Sequence, residues 1–473
     1  MKERFFDVVI LGAGPGGYVA GIRAAQLGLS AAVVEKDSPG GVCLNIGCIP
    51  SKSLIHQASL YYEGKALLAR VGAKVDVSGF EYSKVWQSSR LAADRLSKGV
   101  QFLLKKNKVE LVKGFGVLSD SNSIIVDNGG EKEILHGKAL ILATGSRPRS
   151  LPGFQIDEKM VLSSTGLLMS ESLPSSITIL GAGAIGMEFA YVLRAFGADV
   201  TVVELLDQVL PLEDAESAKI VEKAFLSRGV KIHTSAKAEK VSAVGGKAEM
   251  SVMLKDRSAA VFSAEKALVS VGRAPNTENI GLESLGVRMT RGYIETGDFY
   301  ETSAAGIYAI GDITTQPQLA HVASKAGEIA AEHIAHLLKG SPESRERRIN
   351  PYTIPSAVYC EPEVASFGLS EKKAKDMGIR IEIARFPYRG IGKAVATEVP
   401  EGQVKLLFAP DTWAILGASI VGAGATDTIH ELLLASSAEL TLEEVAEMIH
   451  AHPTLSEGIM EVAKAGLGRA IHI

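Results

Sequence analysis

The chain is poor in cysteine, with three among 473 residues. That number cannot build the dense disulfide framework of a small secreted scaffold. Charge of one sign is also scarce: the net charge is −4, and no run of Lys and Arg stands out. Nucleic-acid binding therefore has no electrostatic footing. Long hydrophobic runs are missing too. The opening stretch "MKERFFDVVILGAGPGG" leads straight into a strand-like segment, and its apolar part is too short and too glycine-rich for a signal segment or a membrane span. The expectation is a soluble protein of a reducing compartment: cytoplasmic, or of the mitochondrial matrix if a transit peptide has been removed.

Glycine is plentiful, at 48 residues, which implies many tight turns and close backbone approaches. The length suits about three domains and allows a large core. Two stretches share one plan. Residues 7–35 read "DVVILGAGPGGYVAGIRAAQLGLSAAVVE" and residues 177–204 read "ITILGAGAIGMEFAYVLRAFGADVTVVE". Each has a β-branched run, a G-x-G-x-x-G turn, an Ala-rich helical stretch and a second β-branched run ending in Glu. In both, the first Gly (Gly12, Gly181) precedes that Glu (Glu35, Glu204) by 23 residues. This is the βαβ dinucleotide fingerprint, weak as a single copy and strong as two complete ones. Gly12 and Gly181 allow the tight turn. Gly14 and Gly183 let the backbone approach a pyrophosphate, and Gly17 and Gly186 let helix and strand pack closely. The pyrophosphate then meets free N–H groups at a helix N-terminus, and Glu35 and Glu204 accept from ribose hydroxyls.

Between the copies, "ALILATGSRPRSLPG" (139–153) is a buried strand with a Gly/Pro-rich exit, and "ALVSVGRAPNT" (267–277) repeats its strand-then-Gly-Arg-Pro pattern. The second nucleotide domain, 150–273, is thus expected to be inserted into a first made of 1–149 and 274–346. The charged segment 339–355 reads as a linker. Residues 347–473 alternate strands (402–408, 413–421) with helices (424–438, 442–449), an α+β third domain. The fold class is α/β, with two Rossmann-like domains followed by that α+β domain.

Cys43 and Cys48 stand in "GGVCLNIGCIPSK" (40–52). A metal clip is weakly supported, since there is no second pair and His56 is the sole nearby imidazole. A purely structural disulfide does not suit a reducing compartment. A pair that cycles between disulfide and dithiol is favoured. In a regular helix five residues rise ~7.5 Å, whereas bridged Cα atoms lie within about 7 Å; the backbone around Asn45–Gly47 should therefore depart from an ideal helix. Thiol exchange needs a base. Near the C-terminus, His452 is followed by Pro453 and, five residues on, by Glu457, the pattern of a base held by an orienting carboxylate. His450 is left structural or secondary, and Cys360, without a partner, reads as a buried thiol.

Together "GAGPGGYVAGIRAAQLG" (12–28), "CLNIGCIPSK" (43–52), "ATGSRP" (143–148), "GAGAIGMEFA" (181–190), "VGRAPNT" (271–277), "YAIGDI" (308–313), "LAHVASKAG" (319–327) and "HAHPTLSE" (450–457) resemble the flavoprotein pyridine-nucleotide disulfide oxidoreductases over essentially the whole chain. The resemblance implies that the first nucleotide unit binds FAD and the second NAD. It implies FAD contacts from Gly12, Gly14, Gly17, Glu35, Lys52, Thr144, Gly145, Asp312 and Ala320, with Asp312 on the ribityl chain. For NAD it implies Gly181, Gly183, Gly186, Glu188, Glu204 and Gly272. Lys52, on residues alone a surface helix lysine, would lie near the flavin and pair with Glu188. Cys43 would be the thiol facing substrate and Cys48 the one facing the flavin, with His452 as general acid/base and Glu457 as its orienter. The implied activity is oxidation of protein-bound dihydrolipoamide with reduction of NAD to NADH. The implied partners are a second copy in a homodimer, and the lipoyl domains and acyltransferase core of 2-oxo-acid dehydrogenase complexes, or glycine cleavage. Alternatives are a glutathione- or mercuric-reductase-like enzyme, or a non-catalytic flavoprotein subunit. The second acid bears on the choice. An acid at Glu204 repels a 2′-phosphate, and no Arg or Lys follows it before Lys219, so NAD is expected over NADP. The family usually has Thr where this chain has Val42, which removes a hydroxyl beside Cys43.

Overall fold

The computed structural model describes residues 1–340 and 348–472; residues 341–347 of the expected linker lie outside the described residues. The chain divides into two compact units. The first comprises 1–53, 83–149 and 272–349, the second 54–82, 150–271 and 350–473.

In the first unit, strand β1 (Lys2–Leu11) runs into helix α1 (Pro15–Gln26) and strand β2 (Ala31–Glu35). Val8, Val9 and Ile10 are fully buried, which is how a parallel strand covered on both faces reads: consecutive apolar residues instead of alternating ones. After β2 come helix α2 (Gly41–Ile46), the start of helix α3 (Cys48–Arg70), whose residues from 54 on belong to the second unit, and helix α4 (Tyr82–Lys106), then strands β3 (Glu110–Lys113), β4 (Phe115–Asp120), β5 (Ser123–Asn128) and β6 (Glu131–Leu142). The sheet order is β3-β2-β1-β6-β5-β4, with strand Ile307–Ala309 also on β6. Strands β1, β2, β3, β6 and Ile307–Ala309 are parallel, and β4 and β5 antiparallel. Strand β1 has β2 on one side and β6 on the other, so the strand order reverses beside it. A crevice opens at the carboxyl end of such a strand, which is where Gly12 stands. Helix α1 lies against helix Ala320–Lys339 at near-backbone contact: a Cβ on Gly327 would fall 2.5 Å from the Gly16 carbonyl oxygen. The two Gly-Arg-Pro pieces pair with each other as antiparallel strands Ser146–Pro148 and Arg273–Pro275, so the chain leaves and re-enters this unit through one ribbon.

The second unit repeats the motif. Strand Ser176–Leu180 sits between Asp199–Val203 and Lys266–Val269 in a five-stranded parallel sheet, beside a three-stranded antiparallel sheet over 237–264. The C-terminal part is a five-stranded antiparallel sheet in the order 356–358, 364–368, 415–421, 403–408, 382–387. Helices Ala425–Ser437, Leu442–Glu447 and Glu457–Gly466 bury Ile429, Leu432, Leu442, Ile459 and Val462 in its core. The strands and first two helices fall where the alternation of the sequence puts them. Helix Glu457–Gly466 is hidden in the sequence because Ser456 makes no side-chain cap and glycines flank its apolar stripe. Lys405, 1% exposed, bonds Asp214 at 2.7 Å and Glu216 at 3.2 Å and also reaches Glu371. A buried ammonium without such partners would be costly.

Candidate active site

The first glycine loop is shaped by backbone proximity. Gly12 has φ +109°, and a Cβ there would lie 2.3 Å from the Ala143 carbonyl oxygen; one on Gly17 would lie 1.8 Å from the Gly12 oxygen. No larger residue fits either place. Gly14 is different: a Cβ on it would meet nothing within 4 Å. It caps α1 without a side-chain bond, and Pro15 follows at the first helical position. The space beside this helix N-terminus is therefore open, and a helix N-terminus is where a pyrophosphate binds. Glu35 is anchored beside it, accepting from Ala13 N and Asp37 N, each at 2.8 Å. Burial pushes its carboxyl upward, against those backbone bonds.

The cysteine loop packs directly on this one. Gly40 N donates to Ala13 O at 2.8 Å, and a Cβ on Gly41 would lie 2.7 Å from Gly14 Cα. Cys43 lies in α2 and Cys48 opens α3, with the helix broken at Gly47 (φ −150°, ψ −115°). The spacing of the cysteines leads to this expectation of a broken helix. A Cβ at Gly47 would strike the Val42 carbonyl oxygen at 2.8 Å, while nothing in the structure explains a valine side chain at 42. Both cysteines are thiols here and are hydrogen-bonded to each other. That bond, then burial, holds the Cys43 thiol well above the usual range, with Lys52 opposing. Cys48 sits at the N-terminus of a 23-residue helix, a position that favours thiolate.

Three residues from distant segments meet nearby in the first unit. Ser146 Oγ donates to Asp312 Oδ2 at 2.5 Å and accepts from Arg273 Nε at 2.6 Å; Arg273 Nε lies 3.8 Å from Asp312 Oδ2. Burial lowers the Arg273 pKa, while Asp312 and Cys48 hold it charged. Thr144 Oγ1 donates to Asn276 O at 2.7 Å, and Asn276 N to Gly145 O at 2.9 Å. Gly145 and Gly272 have φ +70° and +98°, and Ala320 opens helix Ala320–Lys339. Ser146 and Arg273 were not among the sequence candidates. Their signal was the repeated Gly-Arg-Pro pattern, whose pairing partner is invisible until the ribbon forms.

In the second unit, a Cβ on Gly181 would lie 2.6 Å from Ser270 O, and one on Gly186 1.9 Å from Gly181 O, while Gly183 faces open space. Glu204, 7% exposed, accepts from Ala182 N at 2.7 Å and Leu206 N at 2.8 Å. Both copies therefore tether their acid by the same two backbone donors, the residue after the first glycine and the residue two beyond the acid. Glu188 is buried and accepts from Tyr359 N at 3.1 Å. Cys360 is fully buried, which drives its thiol upward. Farther along, His452 Nδ1 meets Glu457 Oε1 at 2.9 Å, and Glu457 Oε2 accepts from Thr454 N at 2.9 Å. His450 Nε2 meets Glu431 Oε1 at 2.7 Å.

With two glycine loops, two tethered acids and a broken-helix cysteine pair in one chain, comparison with known proteins gives a consistent answer. Residues 6–327 match the family model described as pyridine nucleotide-disulphide oxidoreductase, and residues 354–463 match the dimerisation domain of the same family. The chain belongs to the pyridine nucleotide-disulphide oxidoreductases. It is 42% identical over 477 residues to a dihydrolipoyl dehydrogenase of Bacillus subtilis, with 99% of each chain covered. To the dihydrolipoyl dehydrogenase of Mycobacterium tuberculosis it is 43% identical over 473 residues, again with 99% of each covered. The crystal structure of LpdA from M. tuberculosis matches with a TM-score of 0.87 at 29% identity, covering 98% of this chain and 99% of that one. Among the described residues, no helix is long and apolar enough to cross a membrane.

Proposed function

We propose that this chain is a dihydrolipoyl dehydrogenase: it oxidises protein-bound dihydrolipoamide to lipoamide and reduces NAD to NADH, with FAD bound. It works as a homodimer and serves the lipoyl domains and acyltransferase core of a 2-oxo-acid dehydrogenase complex in a reducing compartment. The observation that carries this reading is the hydrogen-bonded pair Cys43–Cys48, set in a helix break and packed on the first glycine loop. FAD would be held at the first loop by the α1 N-terminus, Glu35 and Asp312, and NAD at the second by the helix after Gly183 and by Glu204. The open space at Gly14 and Gly183 fits both groups. With both in place, the chemistry supplied is transfer of an electron pair from a dithiol to a nicotinamide as hydride.

The chain's residues do the rest. His452, its Nδ1 held by Glu457, takes the proton of one substrate thiol. The thiolate attacks Cys43 of the closed disulfide, the Cys43–Cys48 bond breaks, and Cys48 leaves as thiolate. The second substrate thiol attacks the substrate sulfur bound to Cys43, closes the lipoamide ring and frees Cys43. Two electrons and two protons have then passed from substrate to protein. In this reading His452 of one subunit serves the cysteine pair of the other.

The test compares turnover of lipoamide, glutathione disulfide and Hg(II) with NADH as donor. Lipoamide should lead by about a hundredfold or more, the scale set by a site built for its substrate; a faster rate with either competitor sinks the assignment. On anaerobic dithiol titration, wild type should develop a long-wavelength thiolate–flavin band and Cys48→Ser should not. A retained band contradicts the role given to Cys48.

A further inference from the structure

The mechanism asks two thiols on different helices to stay within bonding reach. Cys43 belongs to α2, a six-residue helix, and a helix leaves its last four carbonyls without partners of its own. In so short an element that is most of the helix, so α2 needs outside support. Part of it is internal to the loop: Asn45 Nδ2 donates to Gly41 O at 2.9 Å and Pro39 O at 3.1 Å. The rest comes from α4. Ser97 Oγ donates to Pro39 O at 2.9 Å, at the start of the loop. Arg90 Nη1 donates to Asn45 O at 2.7 Å, at its end. Arg90 and Ser97 are seven residues apart, two helical turns on one face of α4, and so bracket the loop over about 10 Å. A cation placed at a helix C-terminus also meets the negative end of its dipole.

We propose that Arg90 is a positioning residue for the cysteine pair. By holding the Asn45 carbonyl, it fixes the end of α2 so that Cys43 stays beside Cys48, and thereby favours closure of the two thiols into a disulfide. This rests on the reading of Cys43 and Cys48 as a redox couple. Its role is to place the backbone that carries Cys43, and no proton transfer is assigned to it. Its partial burial lowers the guanidinium pKa, opposed by Asp94 one turn on. A guanidinium is a fixed fork and a lysine ammonium a loose point charge, so lysine should replace it only in part.

The experiment uses the FAD-loaded holoenzyme, as wild type, R90M, R90K and R95M. Arg95 is exposed on the same helix and serves as the control. Each is equilibrated anaerobically with reduced and oxidised glutathione in graded ratios. The balanced exchange is protein dithiol plus glutathione disulfide giving protein disulfide plus two glutathione. Alkylation then counts free thiols at Cys43 and Cys48 by peptide mass. The equilibrium constant for closing the disulfide should fall about two- to tenfold in R90M, the range one such hydrogen bond supports. R90K should lie between R90M and wild type, and R95M should match wild type. If R90M does not fold, the shift in R90K carries the test. A wild-type couple that R90M and R90K leave unchanged overturns the role of Arg90 alone, as does an equal shift in R95M. A wild type with no couple at Cys43 and Cys48 overturns the redox reading and this inference with it.

Discussion

His450 and His452 stand two residues apart, and each ring is bonded to a glutamate, yet their surroundings are opposite. The side chain of His450 is 3% exposed and that of His452 75%. His450 uses both ring nitrogens inside the protein, Nε2 toward Glu431 and Nδ1 toward Met448 O at 3.2 Å. His452 spends Nδ1 on Glu457 and turns an exposed ring outward. A ring with both nitrogens engaged ties two segments together. A ring with one nitrogen oriented by a carboxylate is equipped to move a proton at the other. The same side chain thus stands in two opposite environments within one tripeptide, and exposure tells them apart.

The contrast is sharpest in turnover. His452→Gln should cut dihydrolipoamide oxidation by about 10²- to 10⁴-fold, the usual worth of a positioned acid/base, while FAD content and urea midpoint stay at wild-type values. Near-normal turnover would remove His452 from the mechanism and collapse the distinction. His450→Gln should do the reverse. Losing a buried bond to a charged partner should cost about 1–3 kcal/mol of stability, read by urea unfolding, with turnover changed by less than about threefold among molecules that remain folded. If His450→Gln costs activity but no stability, the two roles have been exchanged.

The smallest effect concerns Glu457. Its burial would raise the carboxyl pKa, but the Thr454 backbone bond and His452 outweigh that and hold it below the ordinary value. A carboxyl with a depressed folded pKa adds stability above its unfolded pKa, and that contribution fades as pH falls through the folded value. Glu457→Gln should therefore lower the urea midpoint slightly at neutral pH and leave it less sensitive to acidification near pH 4. An identical acid response in variant and wild type would show that the carboxylate is not held this way.

Much of the candidate site's backbone geometry was legible in the sequence because it is local. G-x-G-x-x-G turns, the trailing acids, and the cysteine spacing that calls for a broken helix all depend on backbone conformation within a few residues. Helix Glu457–Gly466 was less legible, since neither its cap nor its glycines announce it. Ser146, Arg273 and Arg90 escaped notice because their partners lie far along the chain: Arg273 to Ser146 spans 127 residues and Arg90 to Asn45 spans 45. A lone arginine on a helix carries no mark of the carbonyl it will meet.

By itself, the order of residues determined two nucleotide loops with an acid behind each, a cysteine pair that cannot sit in a regular helix, and a histidine five residues before a glutamate. Each follows from φ/ψ limits and helical rise, which act between near neighbours. Only the tertiary structure decided which histidine is buried, that the two Gly-Arg-Pro pieces close into one ribbon, and that α4 reaches across to hold the cysteine loop. Those outcomes depend on which distant segments share a core, and burial and hydrogen-bond satisfaction are properties of the packed chain.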